Sequence, residues 1–464
     1  MTTVSAPIME WEGIKAYFGQ LGPGMIALFC APFVILLTSL ATLPLFAPHF
    51  WEKNENKGLL ALVLSFPLAI FFLLKDWHTM ALTGLDYLTF IALLGSLYTI
   101  SGGIYIRGSF AGLPLVNALF LLAGALLANG IGTTGASMLM IRPLLRANHS
   151  RHHKAHIVIF FIFIVSNCSG LLTPLGDPPL FLGFLRGVEF VWTLRLKTEW
   201  FLVNVSLLIL FYLLDRYHFE REHLSIKGVL REQHRLMSER FGVEGTFNLV
   251  YLAAVVGVIL YSGYHVYPMK GQPILGEPYG SVMSKLVQAI GMGFLAIASY
   301  QGTSKAIHKK NHFNFHPIAE VAILFSGIFV TMVPALMILE TQGYKLGVTH
   351  PWQFFWMSGA LSSFLDNAPT YLTFTSLAKG ALQLGGEGLA SLAHHPVGMR
   401  YLAAVSCGSV FMGANTYIGN GPNFMVKSIA EHAQVKMPSF FGYTVWSLAI
   451  LIPIFVAVTF LFFP

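Results

Sequence analysis

The sequence predicts an all-α polytopic membrane protein made of two inverted-topology repeats, each with a re-entrant hairpin and a discontinuous transmembrane helix. Three observations carry that prediction. The first is polarity: 55% of the 464 residues are hydrophobic and 11% are charged, with a mean hydropathy of +0.66. A soluble domain carries roughly 25% charged residues, so this chain cannot cover an ordinary aqueous surface. The second is spacing, because apolar stretches recur along the chain at about the 17–25 residues that a bilayer span needs. The third is interruption: four apolar segments are broken by Gly, Pro, Asn or Asp. Such breaks survive in a membrane only where protein or a polar cavity satisfies the freed backbone groups. Soluble enzymes and nucleic-acid-binding proteins are excluded. The net charge of +7 is therefore read by position, since Lys and Arg of membrane proteins collect in cytoplasmic loops.

In order, uninterrupted spans are expected at 24–48, 58–74, 85–106, 199–217, 246–264, 282–300, 317–340 and 440–462. The interrupted segments are 113–147, 157–190, 351–382 and 397–432. The first twenty residues lack the charged start, short apolar core and small-residue cleavage site of a removable signal, so the first span is expected to direct insertion. Cys30, Cys168 and Cys407 lie far apart in apolar segments, which offers no disulfide framework or zinc spacing.

The stretch Gly170–Phe181 (GLLTPLGDPPLF) aligns with Gly413–Phe424 (GANTYIGNGPNF) at an offset of 243. Five positions are identical: Gly170/Gly413, Thr173/Thr416, Gly176/Gly419, Pro179/Pro422 and Phe181/Phe424. The preceding broken segments match as well, with Asn129 of LANGIGTT opposite Asn367 of LDNAPT. The chain then divides into a first repeat, 1–217, a cytoplasmic connector, 218–245, and a second repeat, 246–464. Each repeat has three spans, a hairpin that turns back, a broken span and a final span. With five net crossings per half, segments 49–57, 107–112, 142–156, 216–245, 301–316 and 427–439 fall on one side and hold 18 of the 28 Lys and Arg residues. That asymmetry marks this side as cytoplasmic. Inverted repeats with discontinuous helices are the layout of secondary transporters, whose site lies at the midplane where the breaks meet.

Asp177 follows Thr173-Pro174-Leu175-Gly176 and precedes two prolines. An ionisable residue at membrane depth is costly and functional by default, and consecutive prolines free carbonyls for a cation; alternatively Asp177 only caps the next half-helix. Asp366 lies in Ser362–Thr370 (SSFLDNAPT), where a carboxylate, the Asn367 amide and the Thr370 hydroxyl make a hard-oxygen site for Na⁺, or again a simple cap. Asn129, Thr133 and Thr173 in the first half, with Asn415, Thr416 and Asn420 in the second, supply further amides and hydroxyls. Each half thus offers one Asp and one Asn at matched positions. Two carboxylates in a desolvated pocket can each hold a proton or a cation but not both, which is a physical basis for exchange. An anion carrier would use half-helix N-termini and neutral donors instead, and Asn415, Thr416, Asn420 and Asn423 suit that use.

Glu320 is read as a first-turn dipole partner or a proton relay. Lys285, in a span with Gln288, is read as snorkelling to the surface or as a coupling residue. Arg216, Arg221, Arg231, Arg235 and Arg240 are read as a solvated or surface-lying connector. His149, His152, His153 and His156, and the HxxxH spacings of His308, His312 and His316, resemble the histidine boxes of membrane di-iron desaturases. His394-His395 falls on the other side, however, and an enzyme reading leaves the repeat unexplained. Cytoplasmic pH sensing or plain solvation are the remaining readings of these histidines.

The pairing of GLLTPLGDPP with SSFLDNAPT, together with AEVAILFSGIFV, resembles the D-type sodium/proton antiporters. These belong to an ion-transporter superfamily that also holds citrate, dicarboxylate and arsenite carriers. The resemblance implies hairpin tips at Asn129 and Asp366–Asn367, broken helices at Thr173–Asp177 and Asn415–Asn420, and a homodimer. It further implies exchange of Na⁺ or Li⁺ for H⁺ at Asp177 and Asp366. Pro178-Pro179 departs from the antiporter pattern and is shared with citrate-carrier relatives. The sequence reading is therefore a multi-pass transporter of the bacterial inner membrane and not an enzyme. It works on Na⁺ and H⁺ with no cofactor; its partners are the bilayer and a second copy of the chain, with no nucleic acid; a cation-coupled citrate or dicarboxylate carrier is the alternative.

Overall fold

The computed structural model describes residues 6–108, 110–222, 242–386 and 388–464. Among them ten helices are long and apolar enough to cross a membrane. In the first half of the chain they include Pro23–Phe46, Asn54–Lys75, Trp77–Gly102 and Lys197–Arg221. In the second half they include Phe247–Tyr261, Tyr279–Gly302, His316–Gln342 and Phe440–Phe462. Their outward faces carry large exposed apolar side chains, such as Leu62, Phe66, Ile290 and Phe294. A surface of that kind associates in water and is at home in lipid.

Local chemistry explains where elements differ from expectation. The third span starts at Trp77 rather than 85, because Asp76 caps it and accepts the Thr79 N–H at 3.3 Å. The polar Trp77-His78-Thr79 start hides that turn from an apolar-run reading. Lys285 does not snorkel: it is buried and pairs with Asp86 of the Trp77–Gly102 helix at 2.7 Å. A fourteen-residue helix, Ala6–Gly19, is too short for a span and was not expected. It seats Ile14 and Phe18 in a cluster with Phe29, Phe72 and Met337, and Lys15 meets Glu340 at 3.1 Å. On the basic side, Tyr105–Arg107 pairs antiparallel with Gly242–Glu244. Arg216 binds Glu220 at 2.8 Å along its own helix, while Arg231, Arg235 and Arg240 lie outside the described residues.

The interrupted segments position the site. Pro114–Ala147 is helical except at Gly132, which has φ 76° and ψ 155°. Asn117 and Asn148 near its two ends exchange amide bonds at 2.9 and 2.7 Å. A straight helix would hold them roughly 46 Å apart, so the chain reverses at Gly132, three residues beyond the expected tip. The second hairpin runs Pro351–Ser362, turns over 363–366 and returns as Asn367–Ala381. Its return arm ends beside the end of the preceding span, His316–Gln342, with Lys379 3.5 Å from Glu340 and Gly380 packed on the Leu339 carbonyl.

The first broken helix consists of Ala155–Ile164, a 3₁₀ turn Cys168–Leu171, an irregular stretch and the half-helix Pro178–Leu185. Nine of the ten residues of Ala155–Ile164 are buried; apolar all round, it runs through the middle of the protein. The second broken helix consists of Pro396–Met412, Gly413–Asn415 and the half-helix Gly421–His432. One continuous apolar core, including Phe160, Phe181, Phe354 and Phe411, surrounds all four breaks.

Candidate functional site

Asp177 is 1% exposed and stands at the start of the Pro178–Leu185 half-helix, yet its side chain does not cap that helix. Its carboxylate accepts the Thr133 hydroxyl at 2.9 Å from the first hairpin tip and the Asn420 amide at 3.3 Å from the second broken helix. It also accepts the Asn367 amide from the second hairpin tip. All four interrupted segments therefore converge on one carboxylate. A buried anion is tolerable only with such charge-assisted donors, and the donors come from residues 44, 190 and 243 positions away.

Backbone close approach makes the convergence possible. The Thr133 N–H donates to the Gly176 carbonyl at 2.8 Å. Gly176 packs on the Gly170 carbonyl so tightly that a Cβ would overlap it, and Gly419 packs on Gly413 in the same way. Thr173 donates to the Asn129 carbonyl, and the Asn129 side-chain oxygen accepts the Leu172 N–H at 3.0 Å. In the second half Thr416 donates to the Ser363 carbonyl, and the Asn415 amide reaches the Ser363 hydroxyl at 2.9 Å. These four residues latch each hairpin tip to its own broken helix.

The other expected site residues are spread out. Asp366 caps the Asn367–Ala381 helix, accepting the Ala368 N–H at 3.2 Å, and contacts the site through its neighbour Asn367. Thr370 donates to the Asp366 carbonyl at 3.0 Å, one turn back on its own helix. Glu320 pairs with Lys57 at 2.7 Å. Asn167, which the sequence reading passed over, bridges the two broken helices through Asn423 at 2.7 Å. Its only sequence signal is a lone amide in the apolar run IVSNCSG. The side-chain oxygens of Asn167, Asn367 and Asn415 are buried without a hydrogen-bond partner.

A cavity of about 620 Å³ lies directly over this layer. Its floor includes Thr133, Thr134, Gly176, Asp366 and Asn420, and Asp177 sits one layer beneath. Lys57, Arg142, His312, His316 and Ser428 line the cavity as well, and they fall in the segments that carry the excess of Lys and Arg. A second, smaller cavity of about 290 Å³, with Lys15, Arg186, Lys285 and Glu340, draws on the opposite set of loops. It reaches Leu185, the far end of the half-helix that begins after Asp177. Pro178 lines the larger cavity and Leu185 the smaller, so the eight residues of this half-helix, about 12 Å, run between the two.

The histidine-rich loop forms an ionic knot at the root of the first hairpin. Arg151, with no exposed side chain, binds Asp215 at 2.7 Å and Glu222 at 3.1 Å, and donates to the Gly112 carbonyl at 3.1 Å. His156 meets Asp215 at 2.9 Å and His153 meets Glu222 at 2.9 Å. Among the described residues no group of three or more His, Cys, Asp or Glu is arranged to hold a metal ion. Burial raises the Glu222 carboxyl, but the His153 N–H, the Arg151 guanidinium and the His153 ring together hold it below the usual range.

Over residues 23–463 the chain matches the family described as "Putative citrate transport". It belongs to that family, and it is a multi-pass membrane protein of a transporter family. Comparison with the curated proteins found no match.

Proposed function

We propose that this member of the citrate-transport family carries citrate or a related di- or tricarboxylate by alternating access, coupled to a cation or proton held at Asp177. The observation that carries the proposal is Asp177 itself, bound by Thr133, Asn367 and Asn420 from three other breaks, with Thr133 and Asn420 also lining the larger cavity. The half-helices Pro178–Leu185 and Gly421–His432 both begin at this layer, so two positive helix ends face the cavity floor. With the Thr134 hydroxyl they suit an anion. The buried amide oxygens and the Asp177 carboxylate suit Na⁺ or H⁺ one layer deeper.

In this reading 1–217 and 246–464 are inverted repeats joined by 218–245, and Asn129, Thr173, Asn415 and Thr416 hold the breaks in register. The basic side is the cytoplasmic side of a bacterial inner membrane, which makes the larger cavity the inward-facing state. Cation/proton antiport is the second reading, favoured by the second carboxylate, Asp366, at the cavity floor.

Purified protein in liposomes with labelled citrate under a sodium or proton gradient tests the choice. Gradient-dependent uptake of citrate supports the carboxylate carrier. Dequenching of a pH-sensitive dye by NaCl or LiCl, unaffected by citrate and without citrate uptake, replaces it with the antiporter.

A further inference from the structure

We infer that Arg142 is the anchor for a second carboxylate of the transported anion and so selects di- and tricarboxylates over monocarboxylates. The inference rests on the carboxylate-carrier reading and deepens it. Arg142 lies on the return arm of the first hairpin, half-buried, and lines the larger cavity. The cavity's other charges are engaged or peripheral. Lys57 is paired with Glu320 at 2.7 Å, Glu52 lies 3.9 Å from His49 on an exposed loop, and Asp366 caps its helix. Arg142 has no acidic partner among the described residues; its one hydrogen bond runs back to the Met138 carbonyl at 3.5 Å. A guanidinium carries five donors in a fork that matches a carboxylate. Leaving it unpaired in a largely apolar cavity is costly unless a ligand completes it.

The placement fits a substrate with two ends. The contact with Met138 puts the guanidinium one turn back toward the hairpin tip, the usual direction for a helical side chain. Met138 is four residues from Thr134, about 6 Å along the helix axis. A short di- or tricarboxylate spans that gap. One carboxylate then takes the Arg142 fork, while another meets the Thr134 hydroxyl and the start of Gly421–His432 at the floor. A monocarboxylate reaches one end only.

The test uses the full chain in liposomes and compares wild type with Arg142→Gln and Arg142→Lys. Loss of a charge-assisted contact predicts that Arg142→Gln raises the KM for citrate roughly ten- to hundredfold. The same variant loses the preference for citrate over acetate, and Arg142→Lys recovers part of both. In the wild-type protein, citrate but not acetate shields Arg142 from phenylglyoxal, read by peptide mass spectrometry; this measurement needs no variant to fold. A wild type that moves citrate, with both variants keeping its KM and preference, overturns the anchor. A fall in kcat at unchanged KM does the same. A wild type that takes up no citrate at all fails the carrier reading instead, so the two failures are distinguishable.

Discussion

The two broken helices have nearly the same backbone and opposite chemistry. Asp177 has φ −146° and ψ 143°, and Asn420 has φ −153° and ψ 140°; each opens a half-helix with proline in its first turn, and neither caps it. Each follows a pair of glycines packed on one another and a threonine that latches the neighbouring hairpin tip. Where the first carries an anion, the second carries an amide that donates to that anion and to the Ser166 carbonyl at 3.1 Å. Two copies of the scaffold therefore build one charged site rather than two. Two carboxylates meeting at that point would repel in a desolvated pocket, whereas one carboxylate and one amide attract.

The largest effect should come from removing the charge. Asp177→Asn turns an acceptor of three hydrogen bonds into a side chain facing the amides of Asn367 and Asn420, leaving their N–H groups in competition. Gradient-driven uptake should fall at least about a hundredfold, the scale of losing an interaction the transport cycle depends on, while size-exclusion profiles in detergent stay those of the wild type. Full uptake by the variant would remove Asp177 from the coupling site. The sharper test moves the charge across the pseudo-symmetric pair. Asp177→Asn combined with Asn420→Asp keeps one carboxylate and one amide at matched backbone positions. Coupling energies between contacting residues run about 0.5–3 kcal/mol, so the double variant should transport several-fold better than Asp177→Asn alone. An equally inactive double variant would mean that Thr133, which donates to Asp177 at 2.9 Å, fixes the charge to the first half.

The hairpin turns offer a second contrast, with a smaller expected effect. The first reverses at one residue, Gly132, whose positive φ only glycine adopts freely; the second takes the four residues 363–366, none with positive φ. Gly132→Ala forces a Cβ to 3.2 Å from the Leu175 carbonyl and should cost about 1–3 kcal/mol, seen as a lower Tm in detergent. Ser363→Ala, which loses the bond from the Asn415 amide and the hydroxyl's bond to Gly359, should cost roughly 1 kcal/mol or less. A reversed order would place the strained turn in the second half.

These contrasts also mark what was legible in the sequence. The breaks were, because Thr173–Pro179 and Asn415–Pro422 concentrate Gly, Pro, Asn and Asp where a span should be apolar. The exact reversal was not: Gly130 and Gly132 both stand in LANGIG, and only the folded tip assigns the positive φ to Gly132. Asp177 and Asp366 look alike locally. Whether each caps its helix or leaves it depends on donors up to 243 residues distant. The Asp86–Lys285 pair spans 199 positions of sequence, so no local pattern announces it. Arg142 entered the sequence reading only as one basic residue of a loop, since its missing partner is a property of the cavity around it.

The mildest expected effects separate two anchors on the basic side by pH. His308 is wedged between Tyr300 and Phe313 with both ring nitrogens buried and unpartnered, and burial pushes it below the usual histidine range. Its folded form resists the proton that the unfolded chain accepts near pH 6.5, so stability is lost as pH falls through that value toward the lower folded one. Glu222 is also held low, but by the His153 N–H, Arg151 and the His153 ring, which outweigh its burial. Its contribution is complete above the ordinary glutamate value near 4.3 and is lost as pH falls below it. A Tm series from pH 8 to 4 should therefore decline in two windows. His308→Phe should flatten the upper window and leave the lower one. Glu222→Gln should lower Tm at neutral pH and flatten the lower window. If Glu222→Gln instead removed the decline near pH 6.5, the acid sensitivity of the basic face would reside in the ionic knot at the hairpin root, where Glu222 meets Arg151 and His153, rather than at His308.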